Sequence, residues 1–295
     1  MTEDNKQGKV MRHLACIALA GCCLSAPATA QDQPAAGQLP SPEEVNKRDT
    51  VTVGVGAGIT PDYEGSDDYR FIPAAAIRGR VSGIAFSTRG TYLYVDVISL
   101  NGNKVDLVAG PIAGVRLGNR RHIKDDVVEL LPRLDRAIEI GGFVGVSAHG
   151  VTNPYDRLGF RVDVTHDIGG AHKSTIISPN IEFSTPLSRT TYASASAGME
   201  FVSNKFADYY YTITPADRLA TGNQLAVFDA DGGLKNWKLG LLLNQSVSGD
   251  LLHGFSIFGL AQYSRLVGDF KDSPIVSQRG SASQWLGALG VAYTW

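Results

Sequence analysis

From Thr50 onward the chain alternates, residue by residue, between apolar and small or polar side chains. Val51, Val53, Val55, Ala57 and Ile59 alternate with Thr52, Gly54, Gly56 and Gly58. Phe160, Val162 and Val164 alternate with Arg161, Asp163 and Thr165, and Leu289, Val291, Tyr293 and Trp295 close the chain with the same rhythm. A period of two places successive side chains on opposite faces of a strand. The runs last 10–14 residues, whereas soluble strands centre on about 5–6 and a membrane-crossing strand needs about 9–11 at a tilt of ~45°. The second face is Gly, Ser, Thr and single charges rather than the dense charge of a water-facing sheet. Lipid cannot satisfy a backbone N–H or C=O, so a sheet crosses a bilayer only by closing on itself. The expected fold is an all-β, transmembrane, antiparallel up-and-down β-barrel with its apolar side chains turned outward.

Composition agrees. An apolar fraction of 43% is too high for a disordered chain, and a formal net charge of −2 argues against a nucleic-acid binder. Strands are expected at 50–59, 69–81, 83–89, 91–98, 104–117, 136–148, 157–167, 173–185, 190–202, 235–247, 252–266 and 282–295, about twelve in all. Splitting 83–98 into two strands keeps the count even. It also puts the long connections 60–68, 118–135, 203–234 and 267–281 together on the outer side, with short turns in the periplasm, as bacterial barrels require. Helical period is weak except for a short candidate at 125–134. Tyr92, Tyr94, Trp237, Tyr263, Tyr293 and Trp295 are candidates for interfacial girdles; Tyr192 falls on the inner face. A terminal Trp295 on an alternating last strand is the kind of signal that barrel-assembly machinery reads.

The first 30 residues read as an export signal. Lys6, Lys9 and Arg12 precede an apolar run from Leu14 to Leu24, and Ala28-Thr29-Ala30 offers a small-x-small cleavage site. Met11 is an alternative start, and Leu19-Ala20-Gly21-Cys22 is a rival lipoprotein box. All three cysteines, Cys16, Cys22 and Cys23, lie here, so a chain cleaved after Ala30 has none. The expected organisation is a signal peptide at 1–30, a flexible periplasmic tail at 31–48 and the barrel at 49–295.

Arg78, Arg80, Lys104, Asp106, Arg116, Glu139, Arg161, Asp163, Glu182, Glu200 and Lys238 all fall on the face away from lipid. Mixed sign points to paired interior filling before a selective pore. His166, Asp167 and His172 share one outer hairpin and could ligate zinc or nickel, although rim residues in water or lipopolysaccharide headgroups explain them more simply. The remaining mature histidines are His122, His149 and His253. The acidic run Asp62, Glu64, Asp67 and Asp68 offers oxygen ligands to calcium, but its spacing misses the EF-hand pattern. His253 and Ser256 stand three apart, on opposite faces of a strand, so they cannot serve as base and nucleophile. Gly54-Val55-Gly56-Ala57-Gly58 lies inside a strand with no helix following, which excludes a nucleotide loop. No catalytic, cofactor or metal residue is assigned.

Three segments resemble the MipA/OmpV family of outer-membrane proteins. Thr60-Pro61-Asp62-Tyr63-Glu64-Gly65-Ser66-Asp67-Asp68-Tyr69 is similar to that family's first-loop motif. Tyr211-Thr212-Ile213-Thr214-Pro215-Ala216 and Asp231-Gly232-Gly233-Leu234-Lys235 resemble its long middle loop. Ser264-Arg265-Leu266-Val267-Gly268-Asp269, with Asp272-Ser273-Pro274-Ile275-Val276 and Arg279-Gly280-Ser281, resembles its last outer loop. The terminal Trp stands where Phe is commoner. The resemblance implies the cell outer membrane of a Gram-negative bacterium, contact with outer-membrane lipids and lipopolysaccharide, and a non-enzymatic scaffold joining a murein lytic transglycosylase to a murein synthase. The alternative is a small-solute, porin-like channel.

Overall fold

The computed structural model describes residues 48–98, 104–118 and 123–295. The expected signal peptide, almost all of the tail, the three cysteines and His122 lie outside the described residues. Twelve strands follow in order: β1 (Thr50–Pro61), β2 (Tyr69–Val81), β3 (Ile84–Arg89), β4 (Tyr92–Asp96), β5 (Val105–Arg116), β6 (Ala137–His149), β7 (Arg157–Asp167), β8 (Thr175–Pro186), β9 (Thr191–Val202), β10 (Gly233–Ser246), β11 (Gly254–Leu266) and β12 (Ser283–Thr294). Each pairs antiparallel with its sequence neighbours, and β12 returns to β1 to close the barrel. The closing seam runs from Thr52↔Thr294 to Ile59↔Gly287, and the Trp295 N–H donates to the Val51 carbonyl at 2.9 Å. Closure leaves no free first or last strand, as a sheet in lipid requires.

The alternation resolves as expected. Val53, Val55, Phe71, Val144, Phe160, Leu241, Ile257 and Leu289 are exposed on the outside, Phe71 at 86% and Leu289 at 70%. In water such a surface would be intolerable; facing hydrocarbon it is what anchors the barrel. Two aromatic clusters bound this band. Trp237, Tyr263 and Trp285 stack at the long-loop end, with ring centres 5.4 and 4.9 Å apart. Phe255, Tyr293 and Trp295 stack at the short-turn end, at 4.7 and 4.6 Å. No described helix is long and apolar enough to cross a membrane.

Three expectations are corrected. Tyr92 and Tyr94 are not girdle residues. They pair with Gly114 and Ile112, which face the lumen, and the missing side chain of Gly114 is where the Tyr92 ring sits. The helix expected at 125–134 shrinks to a single 3-10 turn at Val128–Leu130, opened by Asp125 accepting the N–H groups of Val127 and Val128. Pro132 cannot continue it. Helices form instead in the long connections: α1 (Asn204–Tyr211), α2 (Pro215–Ala220), α3 (Asp269–Asp272) and α4 (Pro274–Ser277). α2 starts with a Thr214/Asp217 capping box and Pro at its first turn.

At the short-turn end, β2 and β3 are joined by Ser82 and Gly83, both at positive φ (52° and 85°), the hairpin geometry that matches strand twist. At the other end the long connections pack together into a cap. Tyr63, Val127, Val128, Leu131, Phe206, Tyr211, Leu225, Phe270, Ile275 and Val276 form its buried core.

A Leu289→Arg change puts a charge on the lipid face. We expect a loss of about 2–4 kcal/mol in urea unfolding from phospholipid vesicles. Leu219→Arg, on the exposed surface of α2, should cost under about 0.5 kcal/mol.

Candidate functional site

Functional side chains in a barrel gather where strands turn them inward, and here that is the lumen beneath the cap. Its upper level is an ion network. Glu139, fully buried, accepts from Arg116 Nε at 2.8 Å, from Thr165 Oγ1 at 3.0 Å, and faces His172 Nε2 at 3.2 Å. Arg116 also donates to Glu200 at 3.0 Å from across the lumen. Lys235, fully buried, lies 3.1 Å from Glu200 and 2.6 Å from Glu64 of the first outer loop. Phe206 of α1 covers this level, with Arg116 and Lys235 at 5.3 and 5.0 Å from its ring centre. Buried charges persist only when paired and hydrogen-bonded, and here each carboxylate meets at least one cation.

A second level crosses the barrel nearer the middle. Arg89 of β3 reaches Glu182 of β8 at 2.8 Å, and Arg161 holds Asp163 at 2.7 Å. The Tyr94 hydroxyl donates to Asp163 at 3.1 Å while Arg161 lies 5.0 Å from its ring centre. A cavity of about 70 Å³ remains between Arg89, Arg157, Arg161, Asn180, Glu182 and Ser184. Lower still, the Arg78 guanidinium stacks on Tyr192 at 5.6 Å, so Tyr192 faces inward as expected.

Four outer loops are tied to one another over these levels. The Tyr63 hydroxyl donates to the Ile275 carbonyl at 3.0 Å, and Gln284 Oε1 accepts the Gly65 N–H at 3.0 Å. The Lys124 N–H donates to Asp62 at 2.6 Å, the Asp135 N–H to the Tyr209 hydroxyl at 2.7 Å, and Arg279 pairs with Asp125 and Asp126 at 2.9 and 3.0 Å. Burial pushes the Tyr210 and Tyr211 phenols above their usual range, so both remain protonated beneath the cap.

Ten of the eleven charges expected on the inner face lie on strands with that parity; Lys104 precedes β5 and is exposed. Arg116 with Glu200 and Glu182 with Arg89 form the cross-lumen pairs, Glu139 meets Arg116 from the neighbouring strand, and Asp163 meets Arg161 on its own strand; Asp106 pairs with His149 at 3.0 Å near the short-turn end. Three lumen residues were not legible as such. Lys235 has the parity of a lipid-facing residue, but the ladder slips between Leu234 and Asn236, and the bulge turns it inward. Arg89 stands at a strand end, where parity carries little weight. Arg157 shares parity with Arg161, which was the available signal.

The two candidate metal groups do not assemble. His166 faces outward, bonded to Thr175 at 2.9 Å, whereas Asp167 is buried and accepts the N–H groups of Gly169, His172 and Lys173. His172 turns in to Glu139. In the acidic loop, Asp62 meets Lys124, Glu64 meets Lys235, and Asp67 is exposed. Among the described residues no group of three or more His, Cys, Asp or Glu converges to hold a metal ion. Ser256 is buried inside the barrel, while His253 stacks on Tyr293.

Residues 53–295 match the family described as MltA-interacting protein MipA. The chain belongs to the MipA family. Comparison with curated proteins finds no match. Among solved structures, OmpT, an outer-membrane protein of Vibrio cholerae, is 8% identical over 84% of this chain and 98% of that one, with a TM-score of 0.34. The anion-selective porin from Comamonas acidovorans is 12% identical over 84% and 78%, at 0.33. OccAB3 of Acinetobacter baumannii is 10% identical over 80% of this chain and 59% of that one, at 0.34, so the chain spans about three fifths of its length. Likenesses this distant decide nothing about activity. The family and the closed, lipophilic barrel together make this an outer-membrane β-barrel protein.

Two outcomes test the site. Lys235→Ala leaves Glu64 without its cation and Glu200 with Arg116 alone, and should cost about 3–5 kcal/mol in urea unfolding; adding Glu64→Gln should restore part of the loss. In the turn after β6, Asp156 is buried, which alone would raise its pKa, yet Thr152, Val151 and Asn153 donate to it and hold it at about 2. A depressed carboxylate stabilises the fold above its ordinary pKa and loses that contribution as pH falls through the folded value. The stability gap between wild type and Asp156→Asn should therefore be full at pH 6 and close as pH is lowered toward about 2.

Proposed function

We propose that this protein is a non-enzymatic barrel of the Gram-negative outer membrane that acts as a scaffold, holding a murein lytic transglycosylase, and through it a murein synthase, at the periplasmic face. The observation that carries the reading is the double closure of the lumen: ion pairs cross it at two levels, and a packed cap seals the side with long loops. A barrel built this way invests its interior in rigidity, which leaves its surfaces to do the work. The family's description, an MltA-interacting protein, supplies the class of partner.

The periplasmic connections suit such a role. Val97, Ile98, Val151, Leu187 and Val247 are exposed apolar side chains in or beside the short turns. Apolar residues at a rim that meets water are the ordinary material of a protein contact. The turn 150–156 beside them is held rigid by Asp156, so its surface is presented with little ordering cost on binding.

Two measurements test the reading together. In planar bilayers the purified protein should give no stable ion steps; steady conductance would favour the small-solute channel instead. The immobilised protein should retain a purified murein lytic transglycosylase, and Val151→Asp with Leu187→Asp should lower that retention at least about tenfold, equivalent to about 1.4 kcal/mol. Unchanged heat-dependent migration on gels verifies that the variant barrel is folded.

A further inference from the structure

The barrel wall has a gap on the side of β2. β3 pairs with β2 only from Arg78↔Ser87 to Val81↔Ile84, so the upper part of β2, residues 69–76, rises past the end of β3. Ile77 turns both its N–H and its C=O toward Thr88 of β3, at 3.0 and 3.3 Å. Residues two apart on a strand turn the same way, so Ala75, Pro73 and Phe71 direct their backbone groups into the gap. Among the described residues none bonds to them there; the Tyr69 carbonyl just above accepts from Lys124 Nζ at 2.7 Å. Pro73 has no N–H to offer, which keeps this edge from recruiting another strand. Beyond β3 the β4–β5 pairing runs on past that level: the Tyr92↔Gly114 to Tyr94↔Ile112 ladder is extended above by the Thr91 hydroxyl on the Val115 carbonyl at 2.6 Å and below Pro111 by the Val97 N–H on the Ala109 carbonyl at 3.0 Å.

This edge lies at membrane depth. The Tyr69 hydroxyl accepts the N–H of Trp285, which places Tyr69 level with the outer aromatic cluster, and the heavily exposed Phe71 sits on the lipid face below it. Unpaired backbone at that depth is tolerated only where it is buried in protein or lines a water-filled cavity. Immediately inside, the wall is apolar. One row across the strands reads Ile72, Gly58, Ala288, Leu260 and Leu242; the next reads Ala74, Gly56, Gly290 and Phe258, ending at Asn244 on β10. Phe258 lies flat on the wall because Gly54 and Gly290 have no side chains: a Cβ there would come within 3.0 and 2.6 Å of its ring. Ala76 and Arg78, though lumen-facing, are exposed. The charged cross-lumen pairs, Arg89–Glu182 and Arg116–Glu200, lie on the other half, between β3 and β9.

We propose that the gap along β2 is a lateral opening that admits the hydrocarbon chain of an outer-leaflet amphiphile into the apolar half of the lumen, its polar head resting at the unpaired backbone edge beside Tyr69 and Lys124. This does not rest on the murein scaffold reading and goes beyond it. The apolar wall at Leu242, Phe258 and Leu260 receives the chain, and the cap above prevents entry from the aqueous side.

The test uses the full chain with Cys16, Cys22 and Cys23 replaced by Ser and one new thiol-linked fluorophore at a time. The protein is refolded into phosphatidylcholine vesicles whose acyl chains are brominated, a contact quencher. Fluorophores are placed by Val55→Cys on the lipid face, Leu260→Cys in the apolar half and Ser178→Cys in the polar half. We expect loss of fluorescence at 55 and 260 and none at 178. Adding Ala76→Trp, which fills the opening, should restore fluorescence at 260 and leave 55 quenched; Ala74→Leu replaces it if migration on gels shows the first variant unfolded. An unquenched 260, equal quenching at 260 and 178, or quenching at 260 that survives both fillings overturns the proposal.

Discussion

Everything in this protein follows from the impossibility of leaving a peptide group unpaired in hydrocarbon. That constraint forces twelve strands to pair all the way round, and closure then separates two environments that the period-two pattern must serve at once. Outside, Val55, Val144, Phe160 and Leu289 meet lipid. Inside, the same strands present Glu139, Arg161, Glu200 and Lys235, which would be ruinous on the outer face. The upper edge of β2, where the rule is relaxed, stands out against this background.

The interior solves a second problem. Charges turned away from lipid enter a narrow space where water is scarce, and each must find a counter-charge. The pairs Arg116–Glu200 and Arg89–Glu182 connect strands from opposite walls, so they brace the barrel across its width as well as neutralising it. Over them the outer loops build a hydrophobic core of their own, with Phe206 as the contact between apolar cap and ionic lumen. The cap resembles a small soluble domain resting on a membrane ring: its helices are short, capped and stabilised by packing.

Strands, their faces and the side on which the long loops lie were legible because each is a local consequence of alternation and strand length. The split of 83–98 into two strands was readable from parity alone. The candidate groups were legible only as compositions. His166, Asp167 and His172 are neighbours in sequence, but a strand end sends His166 outward and the following turn sends His172 inward. Asp62 and Glu64 are two apart and find different partners, a backbone N–H and a buried ammonium.

By itself, then, the order of residues determined the barrel, its lipid face and the inward set of charges, since these need only the period of a strand and the cost of charge in oil. The tertiary structure decided which charges meet, because counter-ions lie on strands far apart in the chain. It decided that Lys235 faces inward, because a bulge shifts the pleat by one residue without a sequence mark. It also decided that the outer loops form one cap, because side chains such as Tyr63, Phe206 and Ile275 acquire a common interior only once the ring of strands has brought their loops together.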